Sequence, residues 1–127
     1  MPHTPQHPVV WAEIPVTDLP RAMEFYQAVF DFALKLDETG PNPIALIAAA
    51  DDSGTAGHLY PGTPAADGQG PTIHLWVPDT VEAAMKRLVA AGGTELGPVV
   101  TIPPGRFAYA QDPDGNSIGL FQPAAAT

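Results

Sequence analysis

The chain repeats itself. A shift of 61 positions sets Val16 on Val77, Asp18 on Asp79, Ala22 on Ala83, Ala49 on Ala110, Asp51 on Asp112, Gly54 on Gly115 and Leu59 on Leu120, and brings Tyr60 onto Phe121. The identities are few, but they fall at corresponding landmarks in the two halves: a strand end, a helix cap, a turn and a closing strand. A duplicated supersecondary unit therefore constrains the fold more than any other feature of the sequence.

Each half is predicted to run strand, helix, then three strands. In the first, Val9 to Val16 is extended and Asp18 is the N-cap. Leu19 to Phe30 is then a helix with Ala22, Phe25, Tyr26, Val29 and Phe30 on one apolar stripe. In the second, Ile73 to Val77 is a strand, and Asp79 caps with Glu82 three residues on as an approximate capping box. Val81 to Ala91 is a helix stopped by Gly92 and Gly93. The returning strands are Leu34 to Leu36, Ile44 to Ala49 and Gly57 to Tyr60, then Val99 to Ile102, Phe107 to Gln111 and Ser117 to Phe121. Turns at Asp51-Asp52-Ser53-Gly54 and Asp112-Pro113-Asp114-Gly115 precede the last strand of each half.

The expected architecture is one α+β domain over residues 1–127, with module one at 8–60, a linker at 61–71 and module two at 72–123. The linker, from Pro61 to Pro71, is too rich in Pro and Gly for a helix or a central strand, and a lid is the other use such a segment could have. With 16 Pro and 12 Gly in 127 residues, long helical bundles are disfavoured. The absence of cysteine excludes disulfides and thiolate-held metals. No apolar run approaches the ~20 residues of a membrane-spanning helix, and no stretch ahead of the first strand resembles a signal peptide, so a cytoplasmic setting is expected. Five basic against fourteen acidic residues give a net charge of -9, which opposes nucleic-acid binding.

Strand parity sorts candidate site residues from core residues. Ala12, Ile14 and Val16 form one apolar row that suits the helix, as do Ile73, Leu75 and Val77, with Leu59 and Leu120 on the closing strands. Trp11, Glu13, His58, Tyr60, Thr72, His74, Trp76 and Phe121 face the other way. An exposed row of aromatics is unfavourable in water, and imidazoles and a carboxylate are foreign to an apolar core. This second face is therefore expected to be a hollow that holds a small molecule. Its competitor is a face covered by a partner chain, with the aromatics serving as core. Glu13 and His74 are expected to pair across the modules. Arg106, near the Pro103-Pro104-Gly105 turn, is a candidate for orienting an anionic ligand, while His3 and His7 in the Pro-rich N-terminal tail carry no expected role.

The segment Glu13-Ile14-Pro15-Val16-Thr17-Asp18-Leu19-Pro20-Arg21-Ala22 with Phe25-Tyr26, and the late run Asp112-Pro113-Asp114-Gly115-Asn116 with Ile118-Gly119-Leu120-Phe121, resemble the vicinal oxygen chelate superfamily. This is the group of glyoxalases, bleomycin-resistance proteins and extradiol dioxygenases. The resemblance extends from about Val9 to Phe121. It implies two βαβββ modules forming a cup-shaped mixed sheet with helices on the outer face, and a homodimer. It also implies, in the enzymes, a divalent metal held by one residue on the first and fourth strand of each module.

Carried over by those motifs, the four metal positions fall at Trp11, His58, Thr72 and Gly119, of which only His58 is an ordinary ligand. The leading expectation is thus a protein without metal or other cofactor that binds a small molecule, with no catalytic residue identified. The enzyme alternative is a lyase, isomerase or dioxygenase with iron, manganese or zinc displaced onto Glu13, His58 and His74. A third reading is an interaction module whose cup a partner chain fills.

Overall fold

The computed structural model describes residues 2–5, 7–50, 56–65 and 67–125. The turn expected at Asp51 to Gly54 lies outside them. Eleven elements follow in order: β1 (Trp11–Val16), α1 (Leu19–Phe30), β2 (Leu34–Asp37), β3 (Ile44–Ile47), β4 (Ala56–Pro61), β5 (Ile73–Trp76), α2 (Val81–Ala90), β6 (Thr94–Glu95), β7 (Val100–Ile102), β8 (Gly105–Gln111) and β9 (Ser117–Pro123). Both modules have the expected strand, helix, strands order; module two adds β6, two residues long, between α2 and β7.

The strands form two sheets, ordered β1-β4-β3-β2 and β5-β9-β8-β6, with β7 also on β8. In each module the first strand lies parallel to the last, β1 on β4 and β5 on β9, and the other pairs are antiparallel. β1 and β5 consequently stand at sheet edges, each paired on one side only.

Helix α1 begins where expected. The Asp18 side chain accepts from the Arg21 amide at 3.2 Å, and Asp31 ends the helix in the left-handed region at φ 59°. Helix α2 is capped differently. Thr80, not Asp79, is the N-cap, extended at φ -106° and ψ 155°, and its hydroxyl accepts from the Ala83 amide at 3.1 Å. Asp79 sits one residue too early for that role and instead takes both ends of the Arg87 guanidinium, at 2.8 and 2.9 Å. Arg87 also donates twice to the Val29 carbonyl near the end of α1, tying the two helices together.

The core lies between helices and sheets and follows the predicted rows. Ile14, Val16, Leu59, Leu120 and Val77 are buried, as are Ala22, Phe25, Tyr26, Val29 and Phe30 from α1. Each large apolar side chain so buried contributes roughly 1.5 to 3 kcal/mol. Module two is also stitched to module one by polar contacts: Tyr26 donates to Asp112 at 2.8 Å, the Asn116 amide to the Pro15 carbonyl at 2.8 Å, and Thr17 to Asp114. The segment between β4 and β5 holds no described helix or strand, and the Gly68 amide anchors it to the Gly115 carbonyl at 2.8 Å.

Candidate functional site

On module one, parallel pairing sets Glu13 beside His58. The Trp11 indole donates to His58 Nδ1 at 2.9 Å, and His58 Nε2 lies 3.3 Å from Glu13 Oε1. An indole nitrogen can only donate, so Nδ1 carries the lone pair and the ring hydrogen sits on Nε2, toward the carboxylate. Tyr60 approaches the His58 ring edge-on with centroids 5.9 Å apart. The His58 side chain is 14% exposed and that of Glu13 66%.

On module two, Gly119 separates two rings. It is the register partner of His74 on β5 and of Tyr109 on β8. A Cβ at Gly119 would stand 2.1 Å from His74 Nδ1, so the imidazole lies over the glycine backbone. From there His74 meets Phe107 edge-on at 5.3 Å and Tyr109 at 5.7 Å. Trp76 and Phe121 form a second ring pair at 5.9 Å, and the Thr72 and Ser117 hydroxyls are hydrogen-bonded. Sequence reasoning missed Phe107 and Tyr109, although their alternation on β8 signals a shared face.

Between the modules, where the free edges of β1 and β5 lie, is a cavity of about 500 Å³ lined by Ile14, Phe32, Ile47, His74, Trp76 and Phe121 among others. A smaller one of about 140 Å³ is lined by Glu13, Gln69, Asn116 and Ser117. Ile14 and Ile73 line both, so the two adjoin. A further groove of about 560 Å³, lined by Met85, Val89 and Val99, carries no imidazole or aromatic ring.

The eight residues of the expected hollow thus divide. Trp11, Glu13, His58 and Tyr60 cluster on the first sheet, whereas Thr72 just precedes β5, His74 and Trp76 lie on it and Phe121 lies on β9. The walls of the larger cavity also include Ile14, Ile73 and Leu75 from the rows assigned to helix packing. Trp11 and Trp76 remain 46% and 61% exposed, so the face is more open than a closed cup. Glu13 pairs with His58 and not with His74, because β4 is its hydrogen-bonded neighbour and β5 belongs to the other sheet. Glu13, His58 and His74 do not gather: among the described residues no group of three or more His, Cys, Asp or Glu could hold a metal ion. The Arg106 guanidinium is committed to Glu82 and Gln122, so it does not serve as a free anion clamp.

Residues 7–120 match the sequence profile of the glyoxalase/bleomycin resistance protein/dioxygenase superfamily. The chain belongs to this superfamily. Among curated relatives, a candidate glyoxylase, CFP32, of Mycobacterium bovis and of Mycobacterium tuberculosis is 28% identical over 118 residues. That alignment covers 88% of this chain but 44% of CFP32, so the chain spans less than half the length of the curated relatives it matches. TnmS3, an antibiotic binding protein from Streptomyces sp. CB03234, is 31% identical with a TM-score of 0.62, covering 96% of this chain and all of the other. A glyoxalase/bleomycin resistance protein from Albidiferax ferrireducens T118 shares the fold at a TM-score of 0.70 and 20% identity, covering 90% of this chain and 97% of its own.

The four positions to which the sequence resemblance assigns metal ligands, Trp11, His58, Thr72 and Gly119, hold residues that do not fit a divalent ion. His58 Nδ1 accepts from the Trp11 indole, and its Nε2 lies 3.3 Å from the Glu13 carboxylate. Trp11 has no lone pair to offer, the Thr72 hydroxyl faces Ser117, and Gly119 has no side chain.

Proposed function

We propose that this protein binds a planar, mainly apolar small molecule in the cavity between β1 and β5 and holds it without a metal or other cofactor. The observation that carries this reading is that cavity, about 500 Å³ between two separately hydrogen-bonded sheets, lined by Trp76, Phe121 and His74 from module two and by Phe32, Ile14 and Ile47 from module one. The size and lining suit one drug-sized guest, with rings for stacking and His74 for orientation. Similarity to TnmS3, itself an antibiotic binding protein, supports sequestration of the guest as the purpose. We further propose that two copies associate. Trp76 and Tyr109, 61% and 45% exposed, leave apolar ring surface open that a second copy would cover.

The test is a fluorescence titration with acridine, a neutral planar tricycle, under conditions of defined oligomeric state. Acridine binds saturably, and Trp76→Ala weakens it roughly three- to tenfold, the range of a lost stacking contact. Added iron, manganese or zinc leaves the affinity unchanged. Absence of saturable binding, or indifference of binding to Trp76→Ala and Phe121→Ala alike, overturns the reading.

A further inference from the structure

The smaller cavity, beside Glu13, is lined by polar side chains of Glu13, Gln69, Asn116 and Ser117. Asn116 spends both amide hydrogens, one on the Pro15 carbonyl and one on Asp112, which leaves its Oδ1 as an acceptor. Ser117 is bonded to Thr72. Gln69 can either give or take. Glu13 Oε1 lies 3.3 Å from His58 Nε2, and a carboxylate has about four lone-pair sites, so most of its accepting capacity is open. The Trp11 hydrogen that could have competed for that carboxylate is already given to His58 Nδ1. The cavity therefore presents the negative charge of Glu13 and the Asn116 acceptor, beside two groups, Gln69 and Ser117, that can turn to suit a donor.

No Lys or Arg lines either cavity of the seam. Arg87 and Arg106 are tied to Asp79 and Glu82, and the whole chain carries a net charge of -9. An anionic group placed beside Glu13 would lose water without gaining a counter-charge. A volume of about 140 Å³ exceeds that of a few waters at about 30 Å³ each. It suits an amino or amidino substituent, while the ring system it hangs from would occupy the larger neighbouring cavity.

We infer that the cavity beside Glu13 receives a cationic nitrogen of the bound molecule, an ammonium or amidinium group, with Glu13 as its counter-ion. The inference rests on the reading that the seam holds a small molecule, and it adds the guest's charge and the position of its polar end.

Three acridines of nearly equal shape separate the possibilities at physiological salt, where long-range attraction is screened beyond about 8 Å: cationic 9-aminoacridine, neutral acridine and anionic acridine-9-carboxylate. The cation binds at least tenfold more tightly than the anion. Glu13→Gln reduces that ratio to about threefold or less and leaves the affinity for neutral acridine unchanged. Glu24→Gln, which removes the same charge from an exposed position of α1, leaves the ratio intact. Circular-dichroism melting shows that both variants fold. The inference is overturned, and the small-molecule reading kept, if neutral acridine binds in a Trp76-dependent way while charge makes no difference or Glu13→Gln preserves the ratio. It is overturned too if Glu24→Gln lowers the ratio as much as Glu13→Gln. Failure of all three acridines to bind overturns both.

Discussion

Tyr26 on α1 donates its phenolic hydrogen to Asp112, in the turn before β9, at 2.8 Å, with both residues buried, at 0% and 3% exposure. The carboxylate also accepts from the amides of Asp114 and Asn116 and from the Asn116 side chain, each at 2.9 Å. Burial pushes the Asp112 carboxyl above its ordinary value, and the hydrogen bonds from Asn116 and Tyr26 pull it back only in part. Burial, followed by the charge of Asp112, raises the Tyr26 phenol well above the usual tyrosine range.

Replacing Tyr26 by Phe keeps the ring against Phe25 and Phe30 and removes only the hydrogen bond. Because the abandoned partner is a buried carboxylate, Tyr26→Phe lowers unfolding free energy by about 1 to 3 kcal/mol in urea titrations. A change below about 0.5 kcal/mol, within the usual range of surface substitutions, would show that this link between modules is not stabilising.

The acid limb of stability has two opposed components. Hydrogen bonds from Arg87 and Arg106 lower the carboxyls of Asp79 and Glu82 below their ordinary values of 3.8 and 4.5. Their stabilisation is fully present above those values and is lost as pH falls through the lower folded ones. Asp112 has the reverse sign. Its folded value is raised, so the folded chain holds the proton longer, and stability declines as pH rises from 3.8 through that value. Urea midpoints measured from about pH 3 to 6 therefore fall toward acid less steeply in Asp79→Asn than in the unaltered protein. A slope unchanged in Asp79→Asn contradicts this assignment.

Two glycines at strand positions differ in what surrounds them. A Cβ on Gly57 would stand 2.3 Å from the Ala12 carbonyl oxygen, which is backbone and cannot turn away. A Cβ on Gly119 would meet the His74 ring, a side chain that can swing outward. Gly57→Ala therefore destabilises by the upper part of the roughly 1 to 3 kcal/mol typical of overpacking, and Gly119→Ala by less. Gly119→Ala nevertheless displaces His74 from Phe107 and Tyr109 and weakens acridine binding. Thermal melts of both variants, with one titration, check the order.

The His58 tautomer is directly observable. Nitrogen-15 spectra of the imidazole show an unprotonated Nδ1 and a proton on Nε2. Trp11→Phe removes the only donor to Nδ1 among the described residues and lets the tautomer mixture shift. A protonated Nδ1 in the unaltered protein would contradict the Trp11 to His58 bond.

Much of the fold was legible because it is periodic. The stripe from Ala22 to Phe30 and the rows of Ile14, Val16, Leu59 and Leu120 are buried as their spacing requires. The α2 cap was misplaced by one residue because Asp79 and Thr80 are both capping types, and only the pull of Arg87 on Asp79 distinguishes them. At the site, parity put Glu13 and His74 on a common side but could not tell which strand each would neighbour. Glu13 met His58 because β1 pairs with β4, a tertiary choice that no alternation encodes. Likewise, the open edges of β1 and β5 mixed helix-side residues such as Ile73 into the cavity wall.

The parallel pairing of first strand with last also sets an order of events for the growing chain. Trp11–Val16 has no strand neighbour until Ala56–Pro61 has been made, and Ile73–Trp76 waits in the same way for Ser117–Pro123. Each module closes with its own final strand, and loop closure over such sequence distances is slow compared with forming α1 or α2. Synthesis of module one through Pro61 can thus complete a four-stranded sheet before β5 exists. Tyr26 must then wait, its hydroxyl unclaimed, for Asp112 to arrive.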